Sequence, residues 1–215
     1  MLKLYVANIE LLDEQNSFDA AFEKMNAQRR EKILRCKNEA DKKRSLLAGS
    51  LLRLALEKEG YAYDALSFSL TEKGKPVIKE LSNMFFSLSH SGEYAVCVVS
   101  DTEIGVDIES KQKTLFQNGK ENSMQSIAKR VLSDREREKF SACTKENVPE
   151  VFLTYWTRKE SYSKAIGTGI GIELNEVETD TDEFFTTWLN DSYCISIYRK
   201  DAGFDKLQIH ELNAL

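Results

Sequence analysis

At 215 residues, with 41% hydrophobic and 30% charged positions, the chain can bury a substantial core as one large domain or two small lobes. The net charge of −5 argues against general nucleic-acid binding and against attachment to an anionic membrane surface. Asn8 and Glu10 break the N-terminal apolar stretch, no run approaches the ~20 residues needed to span a bilayer, and four scattered cysteines lack C-x-x-C spacing. A cytoplasmic protein with reduced thiols is expected.

Residues 2–10 read as a strand and residues 18–35 as a helix whose second half is basic through Arg29, Arg30, Lys32 and Arg35. A longer helix is predicted over 38–59, with Asn38 as N-cap, Gly60 as the stop, and a core stripe of Leu46, Leu47, Ser50, Leu51, Leu54 and Ala55. Gly74-Lys75-Pro76 marks a turn. Residues 84–91 alternate, turn at Gly92-Glu93, and lead into the apolar strand 94–99. Asp101-Thr102-Glu103 is a second turn, followed by a strand, a polar loop over 111–122, and a helix resuming near Met124. Ser133-Asp134-Arg135-Glu136 has the capping-box pattern of another short helix. Pro149 opens a helix that ends at Ile166 before Gly167-Thr168-Gly169. Strand-like stretches at 173–178, 184–189, 193–199 and 207–212 close an α+β order.

The strand Gly105-Val106-Asp107-Ile108-Glu109 carries the chemistry. Ile104, Val106 and Ile108 alternate with Gly105, Asp107 and Glu109, so the apolar set faces a core and two carboxylates project from the other face, ~7 Å apart. Two readings are open for so short a motif: a solvated strand face, or a hard divalent cation, Mg²⁺ or Mn²⁺, between carboxylates that otherwise repel. Phe152, Trp156 and Glu160 fall on one face of the helix 149–166, which places Glu160 among apolar neighbours. It is either a surface pair with Lys164, flanked by Lys159, or a third carboxylate converging on the D-x-E strand. A Ser89–His90–Asp107 hydrolytic triad is disfavoured, because adjacent strand residues face opposite ways and no G-x-S-x-G elbow is present.

The ordered set S-L-S-H-S-G (87–92), G-V-D-I-E (105–109) and W-T-R-K-E-S-Y-S-K (156–164) resembles the 4′-phosphopantetheinyl transferase superfamily, in its larger, surfactin-synthetase-activating (Sfp-type) branch. The resemblance extends through Arg29-Arg30-Glu31-Lys32, Lys43-Arg44-Ser45-Leu46-Leu47 and Gly74-Lys75-Pro76, to about Gly171. It implies two similar α+β lobes related by a pseudo-two-fold axis, 1–103 and 104–215, with coenzyme A and Mg²⁺ in the cleft between them. It also implies transfer of the phosphopantetheine arm to a serine of an apo acyl or peptidyl carrier protein by a monomer.

By match to those motifs, Asp107, Glu109 and Glu160 would hold the metal, and with Lys164 form the catalytic set. Ser89, His90 and Lys164 would contact coenzyme A phosphates. Arg29, Lys32, Arg44 and Ser45 would serve its nucleotide end, and Gly74, Lys75, Pro76 and Lys159 complete the cofactor-binding set. Two positions depart from the family pattern: Ser87 stands where Asn is usual, and Thr168 where Lys is usual. Leu115, Phe116 and Met124, apolar residues after the metal strand, either pack inside or include residues that meet the carrier's helix. Two other readings use the same residues: a different Mg²⁺-dependent phosphoryl or pyrophosphate-cleaving enzyme, and a non-catalytic coenzyme A-binding module.

Overall fold

Alternation in the first strand already dictates a sandwich. In the computed structural model, which describes residues 1–112, 121–167, 173–200 and 203–215, β1 (Leu2–Asn8) is buried on both faces. Tyr5 and Ala7 point to one core, and Leu2, Leu4 and Val6 to another. β1 pairs antiparallel with β5 (Tyr94–Ser100), which pairs antiparallel with β4 (Phe85–Ser91). β2 (Phe68–Leu70) and β3 (Pro76–Ile78) form a separate hairpin around the Gly74 turn. A second antiparallel sheet has the order β6-β8-β7, from β6 (Ile104–Ser110), β7 (Phe184–Leu189) and β8 (Tyr193–Arg199).

Two long helices cover the outer faces. α3 (Glu39–Lys58) packs Leu46, Leu47, Leu51 and Ala55 on the first sheet. Asn38 caps it as expected, accepting the Asp41 N–H at 2.8 Å. The corresponding helix of the second half, Val148–Ile166 (α6), lies on β6 and β8 and stops at Gly167, which adopts the left-handed φ of 66°. Between the sheets, Leu4, Val6, Val96 and Val98 meet Ile104, Val106, Ile108, Ile195 and Ile197. The layers therefore run α3, first sheet, second sheet, α6, and each half repeats one plan of three antiparallel strands and a long helix. β9 (Gln208–Leu212) departs from the plan by returning to pair in parallel with β1.

Several expectations are corrected. The predicted helix 18–35 is two helices, α1 (Gln15–Glu23) and α2 (Ala27–Leu34), because the Asn26 side chain accepts the Arg29 N–H at 2.8 Å and starts a new helix. The stretch 173–178 contains a 3-10 turn, Leu174–Glu176, instead of a strand. The acidic face of β6 is not a solvated one: Gly105 and Asp107 are buried beneath α6. α4 (Glu121–Val131) and α5 (Asp134–Ala142) complete the fold, with the Ser133–Glu136 capping box formed as read. Met124 packs with Leu132, Phe140 and Phe152, so it is core and not carrier surface. Leu115, Phe116 and Thr168 lie outside the described residues.

Candidate active site

Gly105 sets how closely α6 approaches β6. A Cβ there would stand 1.9 Å from the Ser161 carbonyl oxygen and 2.6 Å from the Ala165 nitrogen, so only glycine admits the helix backbone. That contact brings Lys164, which directly precedes Ala165, over Asp107, two residues along the strand: its ammonium donates to Asp107 Oδ1 at 2.6 Å and to Ser89 Oγ at 2.7 Å. Glu160, half-buried on the same helix, has its pKa raised by burial, with the charges of Asp107 and Glu109 adding and Lys164 opposing. The three expected carboxylates thus share one electrostatic neighbourhood.

The first sheet contributes from β4. Ser89 Oγ donates to Asp107 Oδ1 at 2.9 Å, and Ser91 Oγ donates to Glu109 Oε2 at 2.7 Å. Asp107 Oδ2 is buried with no hydrogen-bond partner among the described residues. A buried, unsatisfied carboxylate oxygen is costly unless something cationic fills the space beside it.

Ser89, Asp107, Glu109, Glu160 and Lys164 line one cleft of about 860 Å³ that also reaches Arg29, Lys32, Ser45, Gly74, Lys75, Pro76 and His90. Arg29 Nη2 donates to the Ser45 carbonyl at 2.5 Å, while Arg29 Nε and Ser45 Oγ are buried without partners among the described residues. Burial holds the Arg29 pKa below its ordinary value, as expected for a cation lacking a full set of acceptors. Lys75 Nζ crosses from the β2–β3 turn to the Ala165 carbonyl at the end of α6, and burial lowers its pKa.

His90 stands at the cleft mouth. Burial, then the charges of Arg44, Lys164, Lys32 and Arg29, push its pKa down to about 4. The residue is itself exposed to solvent. The wall is electropositive and the imidazole is neutral at pH 7.

Two expected binding residues stand elsewhere. Arg44 donates to the Gly92 carbonyl at 2.7 Å and to Asp41 Oδ1 at 2.5 Å, and lines an adjoining cavity of about 760 Å³ that meets the main cleft at His90. Lys159 is corrected outright. It is fully buried on the far side of α6, bonded to Glu136 Oε2 at 2.7 Å and to the Leu174 and Val177 carbonyls. Glu136 Oε1 in turn accepts from Thr179 N and Oγ1. Lys159 therefore ties α6 to α5 and the 174–179 segment and does not reach the cleft. Ser91 was not among the candidates, although serine at every second position of β4 was a visible signal.

Residues 103–209 match the family model described as the 4′-phosphopantetheinyl transferase superfamily, and residues 13–102 match its companion described as 4′-phosphopantetheinyl transferase, N-terminal. A Bacillus subtilis 4′-phosphopantetheinyl transferase is 30% identical over 203 residues, spanning 94% of this chain and 83% of that protein. The chain belongs to the 4′-phosphopantetheinyl transferase superfamily. The 4′-phosphopantetheinyl transferase Sfp of Bacillus subtilis strain 168 is likewise 30% identical, over 90% of this chain and 84% of its own. Among solved structures, a Bacillus anthracis holo-(acyl-carrier-protein) synthase in complex with CoA (3′,5′-ADP) aligns with a TM-score of 0.35 at 21% identity, covering 45% of this chain and 92% of that one. Both matched segments contribute residues that line the cleft.

Proposed function

We propose that this transferase takes coenzyme A in the 860 Å³ cleft and passes its phosphopantetheine arm to a serine of an apo acyl or peptidyl carrier protein, with Mg²⁺ or Mn²⁺ held by Asp107, Glu109 and Glu160. The observation that carries the reading is the cleft's polarity: cationic and hydroxyl atoms of Arg29 and Ser45 on one wall, and Asp107 Oδ2 on the other, are unpaired among the described residues. The donor set is all oxygen, which suits a hard cation. Among the described residues no group of three or more His, Cys, Asp or Glu side chains is placed to hold a metal ion. The fit rests on donor chemistry and on that unsatisfied oxygen.

When bound, the ion would supply positive charge against the pyrophosphate and the leaving group. The protein's own groups do the rest by alignment and charge. Arg29 and Lys32, with Arg44 across the His90 boundary, would hold the nucleotide phosphates, while Gly74, Lys75 and Pro76 would flank the base end. Ser89, His90 and Lys164 would donate to the pyrophosphate oxygens; neutral His90 donates one N–H. The carrier serine oxygen bonds to phosphorus as the bond to adenosine 3′,5′-bisphosphate breaks. Glu160 would take the serine proton, a role that competes with metal ligation for the same oxygens.

The lobe division near residue 103, a monomeric state and a cytoplasmic setting belong to the same proposal; four free cysteines support the last. No helix among the described residues is long and apolar enough to cross a membrane. Incubation with coenzyme A, Mg²⁺ and a panel of apo carriers tests the reading by intact mass. A carrier that gains one phosphopantetheinyl group supports it, and free phosphopantetheine or free phosphate with unmodified carriers refutes it.

A further inference from the structure

β4 and β6 share no backbone ladder; serine hydroxyls join them. Ser87 Oγ accepts the Val106 N–H at 3.1 Å, Ser89 Oγ accepts the Ile108 N–H at 3.4 Å, and Ser91 Oγ accepts the Ser110 N–H at 3.1 Å. The other edge of β6 is taken by β8, so without these hydroxyls a row of N–H groups would be buried unpaired in the seam between the sheets.

A hydroxyl carries one proton. Where the backbone N–H of β6 occupies a lone pair, the proton is directed away from the backbone. At Ser89 it goes to Asp107 Oδ1, and at Ser91 to Glu109 Oε2 at 2.7 Å. Ser87 makes the same seam bond with no carboxylate partner among the described residues. Ser89 also meets Lys164, whereas Ser91, only 2% exposed, lines the adjoining cavity on the other side of His90.

We propose that Ser91 is a positioning residue for the transfer reaction: anchored by the Ser110 N–H, its hydroxyl fixes the rotation of the Glu109 carboxylate. The inference rests on the reading of Glu109 as a cation ligand. The terminal torsion of a glutamate is broad, and a hydrogen bond from a buried, registered strand narrows it at Oε2 before an ion arrives. Because the anchor is β4 and the carboxylate is on β6, alignment of this ligand depends on the register between the two lobes.

The test is Mn²⁺ titration of the purified, folded enzyme without coenzyme A, followed by the electron paramagnetic resonance of free Mn²⁺. Ser91→Ala is expected to weaken Mn²⁺ binding by about tenfold or more. Ser87→Ala removes the same kind of seam bond and keeps wild-type affinity. Ser91→Thr retains the hydroxyl, has the adjoining cavity for its extra methyl, and binds as the wild type does. If Ser91→Ala does not fold, Ser91→Cys, with near-equal volume and a weaker donor, shifts affinity in the same direction. Equal Mn²⁺ affinity in folded Ser87→Ala and in folded Ser91→Ala (or Ser91→Cys in its place) overturns the proposal. Wild-type Mn²⁺ affinity in Glu109→Gln is a different failure: it removes Glu109 from the ion site, and the Ser91 role falls with it.

Discussion

Replacing Gly105 by alanine puts a methyl group 1.9 Å from the Ser161 carbonyl oxygen and 2.6 Å from the Ala165 nitrogen. Real Cβ contacts essentially never fall under 3.0 Å, and both obstructing atoms belong to the backbone of α6, so no rotamer change relieves the clash. The helix must retreat from β6 by roughly 1 Å, at an overpacking cost of about 1–3 kcal/mol. For a chain of this size that lowers the melting temperature by roughly 2–12 °C. The same retreat carries Glu160 and Lys164 away from Asp107, whose 2.6 Å contact with Lys164 has no slack. A displacement near 1 Å can cost about 10²-fold in rate. Urea unfolding read by circular dichroism and kcat/KM for an apo carrier measure the two effects together. Gly203→Ala, with nothing within 4 Å of the added methyl, is the neutral control. Gly105→Ala with wild-type midpoint and wild-type kcat/KM would refute the argument that close helix approach assembles the site.

Glu160→Gln is expected to lose most turnover while still binding coenzyme A, as read by single-turnover transfer and by calorimetry; wild-type transfer rates would take Glu160 out of the mechanism. Lys159→Met leaves Glu136 charged and buried, and is expected to lower the unfolding free energy by about 3–5 kcal/mol; a small stability change with a raised KM for coenzyme A would instead place Lys159 at the cleft. The His90 pKa of about 4 should rise when adenosine 3′,5′-bisphosphate neutralises the surrounding cations, a shift visible in the imidazole proton resonances. Between about 4 and the ordinary value of 6.5 the unfolded chain binds more protons at this residue than the folded one does. His90 therefore costs stability as pH falls through that window, and His90→Gln should flatten that part of the pH–stability curve.

Much of the site was legible because strand and helix periods are short and regular. Alternation over 104–109 placed Asp107 and Glu109 on one face, and the i, i+4 spacing of Trp156, Glu160 and Lys164 set the last two on one side of α6. The Asn38 cap and the Ser133–Glu136 capping box are local signals, and both formed as read. Failures came where a tertiary partner decides. Lys159 was read from its neighbour Glu160, yet one residue along a helix is a turn of ~100°, enough to swing it to the opposite face and onto Glu136. Its spacing from Phe152 and Tyr155, i+7 and i+4, follows the buried stripe and was the signal available. The burial of the acidic face of β6 depended on α6 docking at Gly105, a contact between segments some 55 residues apart that no local pattern encodes. The strand-like texture of 173–178 gave way to a turn whose carbonyls receive the Lys159 ammonium.

A crystal structure of the enzyme with coenzyme A and Mg²⁺ addresses the three-carboxylate cleft most directly. Density for one ion within ligand reach of Asp107, Glu109 and Glu160, beside a pyrophosphate that has drawn the Lys164 ammonium off Asp107, is the expected result. A complex in which coenzyme A binds with its pyrophosphate away from these side chains, or in which Glu160 turns to solvent with no ion beside it, would contradict the account.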